Sequence, residues 1–278
     1  MIKKILAALD GSAYTKAVTG YGIWLSKGFD ADLTGLYVID LVALEGPFLH
    51  DLSGSLGFEP FLNFSTKMRE ALEASGRTVL ESFVEECGKE GVDAETLLAY
   101  GIVSNEICDK ARLNDLVLIG RRGVNAEFEH GLLGSVTEGV MRKSSRPVLV
   151  VPETFSTPQK PLLCYDSSPN STKAMHSAAE FVKALGLELT VITAERDGET
   201  ASSVLEEAED YLKSYGVDAS FVHVDEDAPV GLENYYRKNG HDLIFMGATR
   251  HSGILKMVLG STTEHVIRTV EGPFFLER

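Results

Sequence analysis

The chain repeats itself, and the repeat limits what it can fold into more than any other feature. An apolar run that closes on an acid and a turn residue, Ile5-Leu6-Ala7-Ala8-Leu9-Asp10-Gly11-Ser12, returns as Pro161-Leu162-Leu163-Cys164-Tyr165-Asp166-Ser167-Ser168. Each run is followed by apolar residues at helical spacing, Ala17, Tyr21, Trp24 and Leu25 in one copy and Ala174, Ala178, Phe181, Val182 and Leu185 in the other. An apolar strand comes next, and its end lies 28 positions beyond the acid in both copies, at Val38 and at Ala194. Residues 115–120 are then echoed by 242–247, and Gly134-Ser135-Val136-Thr137-Glu138 by Gly260-Ser261-Thr262-Thr263-Glu264. Such self-similarity marks one structural unit built twice.

The offsets also show where the copies differ. Asp10 to Gly120 spans 110 positions and Asp166 to Gly247 spans 81, so the first copy carries 29 extra residues, all between Val38 and Gly101. The insertion contains Phe48, Leu49, Leu56, Phe58, Phe61, Leu62 and Phe64, followed by a helical run to about Glu90. That many large apolar groups would make a sticky surface if exposed, so they are expected to fold back over the first unit, or against its neighbour, and restrict entry to the first site. A segment with three prolines, Pro152, Pro158 and Pro161, separates the copies. The expected organisation is two domains, 1–153 and 161–278, with the insertion between strands 2 and 3 of the first. Within each, short apolar strands alternate with helical stretches as β-α-β-α-β-α-β-α-β, the pattern of a parallel sheet covered by helices on both faces. The fold class expected is α/β, two tandem doubly wound five-stranded parallel sheets.

Composition removes several functions. The 278 residues hold 26 basic and 41 acidic side chains, a formal net charge of −15. The deficit is shared, 15 against 22 in residues 1–153 and 11 against 19 in the remainder, so neither half is a basic module for DNA or RNA. No run is long and apolar enough to span a bilayer, and the opening residues turn acidic too soon for a secretory signal. Three cysteines, Cys87, Cys108 and Cys164, form an unpatterned odd set that fits a reduced, cytoplasmic chain. Cys164, inside an apolar strand, reads as a small buried hydrophobe.

Ligands of doubly wound sheets bind beyond the carboxyl ends of the strands, where the strand order reverses. Two features of each copy fall there. One is the acid, Asp10 or Asp166. The other is a glycine segment after the fourth strand, Gly120-Arg121-Arg122-Gly123 followed after ten residues by Gly134-Ser135, and Gly247-Ala248-Thr249-Arg250 followed after nine by Gly260-Ser261. Glycine lets the backbone approach a ligand, and a Gly-Ser helix start offers N–H groups and a hydroxyl to an anion such as phosphate. Neither segment is a Walker loop or a dinucleotide fingerprint. No His or Cys cluster at metal spacing occurs, and no nucleophile or general base can be assigned.

A strand-end Asp after the first strand, with Gly-x-x-Gly-x9-Gly-Ser after the fourth, resembles the universal stress protein family in its tandem form. The resemblance covers the chain outside the insertion and the linker. It implies the adenine nucleotide alpha hydrolase-like fold, pairing of the units through their last strands into an intramolecular pseudo-dimer, and an adenine nucleotide (ATP, ADP or AMP) in one or both units. Carried over, Asp10 and Asp166 would meet the adenosine, and the backbones of Val38 and Ala194 the adenine edge. Gly120, Gly123, Gly134 and Ser135, or Gly247, Gly260 and Ser261, would hold the phosphates. Ala8, Ile119 and Val136 complete the first set, and Met246, Arg250 and Thr262 the second.

Both copies depart from the pattern. The first has a ten-residue spacer carrying Glu127 and Glu129, which balance Arg121 and Arg122. The second has Arg250 where glycine is expected, and with Lys256 its loop is basic. Charge and spacing therefore favour the second site. The reading is a nucleotide-liganded regulatory protein of the stress response, monomeric as a pseudo-dimer or further paired as a homodimer, at most a slow hydrolase of ATP. One alternative is a weak ATPase in which Mg2+ accompanies the nucleotide. The other is an interaction scaffold whose sites have decayed. Two bland readings stand beside these: Asp10 and Asp166 as helix N-caps, and Glu206, Glu207, Glu209 and Asp210 as a solvated helix face.

Overall fold

Strands apolar at every position need cover on both faces, and the chain supplies it with helices between successive strands. The computed structural model describes residues 1–40, 61–124, 133–248 and 260–278, with side chains from residue 67 onward in the second segment. The first half runs β1 (Lys4–Leu9), α1 (Tyr14–Phe29), β2 (Asp32–Asp40), α2 (Phe61–Lys89), β3 (Ala94–Gly101), α3 (Val103–Ala111), β4 (Leu116–Gly120), α4 (Ser135–Lys143) and β5 (Val148–Val151). The second runs β6 (Pro161–Cys164), α5 (Pro169–Leu185), β7 (Leu189–Ala194), α6 (Gly198–Ser214), β8 (Ala219–Val224), α7 (Ala228–Asn239), β9 (Leu243–Gly247), α8 (Ser261–Thr269) and β10 (Phe274–Glu277). The alternation expected from sequence holds in both halves. Most of the insertion, including Phe48, Leu49, Leu56 and Phe58, lies outside the described residues, as do the side chains of Phe61, Leu62 and Phe64.

The strands form one ten-stranded sheet in the order β3-β2-β1-β4-β5-β10-β9-β6-β7-β8. All neighbours are parallel except the central pair, where β5 runs antiparallel to β10 with Leu149 opposite Phe275. The last strands thus join the two halves edge to edge. Each half has the order 3-2-1-4-5, so the connections reverse direction between β1 and β4, and between β6 and β9. Those two gaps are the switch points at which a crevice opens.

Successive side chains of a strand point to opposite faces, so the sheet has two cores. Ile5, Ala7 and Leu9 face the α1 and α5 side, together with Leu116, Leu118, Leu163 and Phe245. Leu6, Val117, Ile119, Leu162 and Ile244 face the other side, against Val140, Met141, Val266 and Ile267. Phe181 of α5 meets Trp24 and Phe29 of α1 and Phe245 and Phe275 of the sheet edge-on, at 5.2–5.9 Å between ring centroids. This aromatic contact bolts the halves together on one face. The segment between them is also anchored, since Phe155 packs edge-on against the buried ring of Tyr21 at 4.8 Å.

All three cysteines are free. Cys164 is buried, as expected, and burial pushes its thiol far up and that of Cys87 to about 11. Neither is a thiolate nucleophile.

Candidate functional site

At the first switch point the ends of β1, β2 and β4 surround a cavity of about 580 Å³, within the usual size range of small-molecule sites. Its wall contains Ala8 and Asp10 from the end of β1, Val38 from β2, and Ile119, Gly120 and Gly123 from β4 and the turn after it. Gly134, Ser135 and Val136 enter from the start of α4. The sequence had singled out all nine. Tyr14, Thr15 and Val18 of α1, Leu72, Ser75 and Val79 of α2, and Val103 and Ile107 of α3 close the sides. The pattern is apolar walls with polar groups at one end, the form expected of a pocket for a ring system with a charged tail.

The polar groups of the wall include backbone groups, the carboxylates of Asp10 and Asp40, the Arg122 side chain and the hydroxyls of Thr15 and Ser135. Asp10 Oδ1 accepts the Ser12 N–H at 2.9 Å and the Thr15 hydroxyl at 3.3 Å, and Oδ2 accepts the Val124 N–H at 3.1 Å. The N-cap of α1 is Ala13, so Asp10 is not a cap; it ties the β1 turn to the glycine turn. A Cβ on Gly123 would stand 2.7 Å from Asp10 Oδ2, which gives that glycine a reason independent of any ligand. Gly134 is the N-cap of α4 with extended backbone, and its N–H bonds the Arg121 carbonyl at 2.9 Å. The Thr137 hydroxyl donates to the Gly120 carbonyl at 2.8 Å, holding the helix start against the strand end. The first-turn N–H groups of α4, which have no acceptor within the helix, and the positive end of its dipole therefore face the cavity rim.

Arg121 departs from expectation. It was counted as a loop charge near the phosphates, but its Nη2 donates to the carbonyls of Val270 and Gly272 in the second half at 2.7 and 3.1 Å. The guanidinium lies 5.7 Å from the Phe274 ring. Burial pulls its pKa down, and its Nε has no partner among the described residues. Its charge belongs to the junction rather than to the cavity.

The second half places its set at equivalent strand ends. Asp166 follows β6, Ala194 ends β7, Met246 and Gly247 end β9, Gly260 is the N-cap of α8, and Ser261 and Thr262 begin that helix. Asp166 Oδ1 accepts the Ser168 N–H at 3.0 Å. The N-cap of α5 is Ser168, whose side chain accepts the Ser171 N–H, so Asp166 is not a cap either. In both halves the strand end sits hard against the next helix, and a Cβ on Gly120 would stand 2.6 Å from the Tyr14 Cβ. A Cβ on Gly247 would come within 2.4 Å of the Asn170 carbonyl carbon and the Ser171 nitrogen. The Asn170 side-chain amide also donates to the Ala248 carbonyl. Arg250 and Lys256, on whose charge the preference for this site rests, lie outside the described residues, as do Glu127 and Glu129 of the first loop.

Glu206, Glu207, Glu209 and Asp210 are exposed, as the solvated-face reading expects, and Glu207 has a structural role as well. Its carboxylate accepts the Tyr165 hydroxyl at 2.7 Å and the Ser167 hydroxyl at 2.8 Å, so α6 pins the turn that bears Asp166. Nothing in a run of acids distinguishes this one. Among the described residues no group of three or more His, Cys, Asp or Glu side chains is arranged to hold a metal, and no helix is long and apolar enough to cross a membrane.

The sequence profile of the universal stress protein family matches residues 1–152 and 193–276. Universal stress protein Slr1230 of Synechocystis is 27% identical across 98% of both chains. Universal stress protein YxiE of Bacillus subtilis is 29% identical over 54% of this chain and 99% of its own. In three dimensions, a universal stress protein from Archaeoglobus fulgidus superposes with a TM-score of 0.74 at 24% identity, covering 99% of this chain and 98% of its own. A putative universal stress protein from Pseudomonas aeruginosa gives 0.69 at 16% identity over 99% and 93%. The duplicated strand-end acids and glycine segments are therefore those of a familiar lineage: this chain belongs to the universal stress protein family and carries two copies of its unit.

Proposed function

We propose that the protein binds an adenine nucleotide in the first-half cavity and acts as a nucleotide-dependent regulatory protein of the stress response, in the cytoplasm. The observation that carries the reading is the convergence on one cavity of nine residues that strand ends, glycine spacing and the family resemblance together had singled out. The base would occupy the apolar part beside Val38 and Ile107, and the ribose would lie near Asp10. The phosphates would meet the start of α4 at Gly134 and Ser135, where the dipole and first-turn N–H groups favour an anion. Mg2+ would enter with the nucleotide. The nucleotide is read as a ligand and not as a substrate.

The tighter site is assigned to the first half, because there the described strand ends and the start of α4 line a cavity of about 580 Å³. Calorimetry with ATP on the wild type, Gly134→Val and Gly260→Val tests both statements. The first substitution is expected to weaken binding by about tenfold or more, since a branched side chain enters the space of the phosphates. Loss of binding with Gly260→Val alone would move the site to the second half. No heat with any of the three would leave the protein a scaffold.

A further inference from the structure

The cavity's glycine turn is fastened to the other half of the molecule, and the fastening runs both ways. The Arg121 backbone is fixed at both ends, its N–H on the Val151 carbonyl and its carbonyl under the Gly134 N–H, each at 2.9 Å. Its guanidinium then leaves the first half and grips the carbonyls of Val270 and Gly272. Val270 is the C-cap of α8, the helix that begins at Gly260 and Ser261. In return, the N–H of Ala248, the residue equivalent to Arg121, donates to the Glu277 carbonyl at 2.7 Å. The next residue, Arg278, extends its Nη1 to the Ser144 carbonyl, and Ser144 is the C-cap of α4. Each half thus sends one guanidinium to the last turn of the partner half's Gly-Ser helix.

The chemistry suits a strut. A cation at a helix C-terminus meets carbonyls without intrahelical donors and the negative end of the dipole. The planar guanidinium is stiff, and a single nitrogen, Nη2, ties the two carbonyls to it from one point. A nine-residue helix such as α8 moves as a rod, so a shift felt at Val270 is passed to Ser261 at its other end. Holding two halves together would need only the sheet and the aromatic contact. It gives no reason to anchor the strut in the turn that lines the cavity.

We infer that Arg121 is a positioning residue that couples occupancy of the first-half cavity to the order of α8 in the second half. This rests on the nucleotide reading above. A ligand that fixes the 120–124 turn fixes Arg121, and through it the 270–272 turn and α8. Because coupling between two binding sites is reciprocal, anything bound at the start of α8 would change first-cavity affinity by the same factor.

Hydrogen exchange with ATP as the probe tests this, in a Gly260→Val background so that protection of α8 cannot arise from ligand bound there. With Arg121 present, ATP is expected to slow exchange at 120–124 and 134–137, and at 261–272 by about fivefold. With Arg121→Ala the first two segments should stay protected while 261–272 loses its response, and Arg121→Lys, which keeps the charge on a shorter, more flexible stem, should restore part of it. A purely structural Arg121 would raise exchange at 261–272 with and without ATP and leave the ATP-dependent ratio intact, which would overturn the proposal. So would protection at 134–137 without any at 261–272 when Arg121 is present. No protection at 134–137 would overturn the nucleotide reading and the coupling with it. Should Arg121→Ala fail to fold, the Lys variant carries the comparison, and an undiminished response in it sinks the claim.

Discussion

Asp10 and Val124 are 114 positions apart in sequence, and the Asp10 carboxylate accepts the Val124 N–H at 3.1 Å. One side chain therefore sets the spacing between the two turns that frame the cavity. It also places a negative charge where a polyanion is expected, so structure and electrostatics oppose each other. For a half-buried carboxylate accepting several hydrogen bonds, the structural part is worth about 1–2 kcal/mol. Bulk water at the mouth screens the repulsion to less than that. Asp10→Ala should therefore lower the melting temperature and weaken ATP by about fivefold despite removing the charge. Asp10→Asn, which keeps one acceptor oxygen, should fall between. Tighter binding by the alanine variant in calorimetry would mean that repulsion governs.

Ser167 and Gly11 occupy the same place in the two copies, with φ of +57° and +78°. Glycine takes this backbone freely, whereas serine pays about 1 kcal/mol for it. The Ser167 hydroxyl recovers that through its bond to Glu207. Ser167→Ala keeps the strain and drops the bond, and should cost about 1 kcal/mol in urea unfolding. Ser167→Gly drops both and should be close to neutral. Equal stabilities for the two variants would show that the backbone stores no strain there.

What the sequence made legible was local or repeated. Strand ends, the acids that follow them and the glycine turns recur at fixed offsets, and a doubly wound sheet gathers strand ends by geometry alone. Contacts between the halves had no such signature. Arg121 sits among loop charges in the sequence, and only the fold brings it to Val270, 149 positions away. Glu207 is one acid among four, and its partners Tyr165 and Ser167 come within reach only when α6 packs on β7 and β8. The junction of β5 with β10 was implied by family resemblance; the apolar runs themselves do not say which strand lies beside which. Long-range reach of a side chain leaves no periodicity to read.

Two glycines, Gly247 and Gly88, should respond oppositely to alanine, according to what surrounds them. A Cβ at Gly247 would strike the Asn170–Ser171 backbone at 2.4 Å, which cannot yield without moving the start of α5. Gly247→Ala is expected to destabilise by about 2–3 kcal/mol, the range of overpacking. At Gly88, near the end of α2, a Cβ meets nothing within 4 Å. Gly88→Ala should stabilise by about 0.5–1 kcal/mol through the unfolded chain's lost freedom. Thermal melts of both variants decide it, and a tolerated Gly247→Ala would show that the second crevice has more room than its backbone suggests.

Glu277, at the end of β10, makes a pH-dependent contribution whose sign follows from its surroundings. Burial raises its pKa, against the opposing pull of the Ser177 hydroxyl, the Arg278 N–H and the Lys173 ammonium. An acid whose pKa is raised by folding holds its proton more tightly in the folded chain, so acid favours folding through this group. The handicap is absent below the ordinary carboxylate range. It grows as pH climbs from the ordinary value through the raised one, and is complete above it. Glu277→Gln removes the titration and keeps an oxygen to accept the Ser177 hydroxyl, so it should melt higher than wild type at about pH 8 and converge with it towards about pH 5. Other acids titrate identically in the two proteins, which leaves the difference between their melting curves to Glu277. A difference that stays constant across the range would mean that water reaches the carboxylate and that its burial exacts nothing.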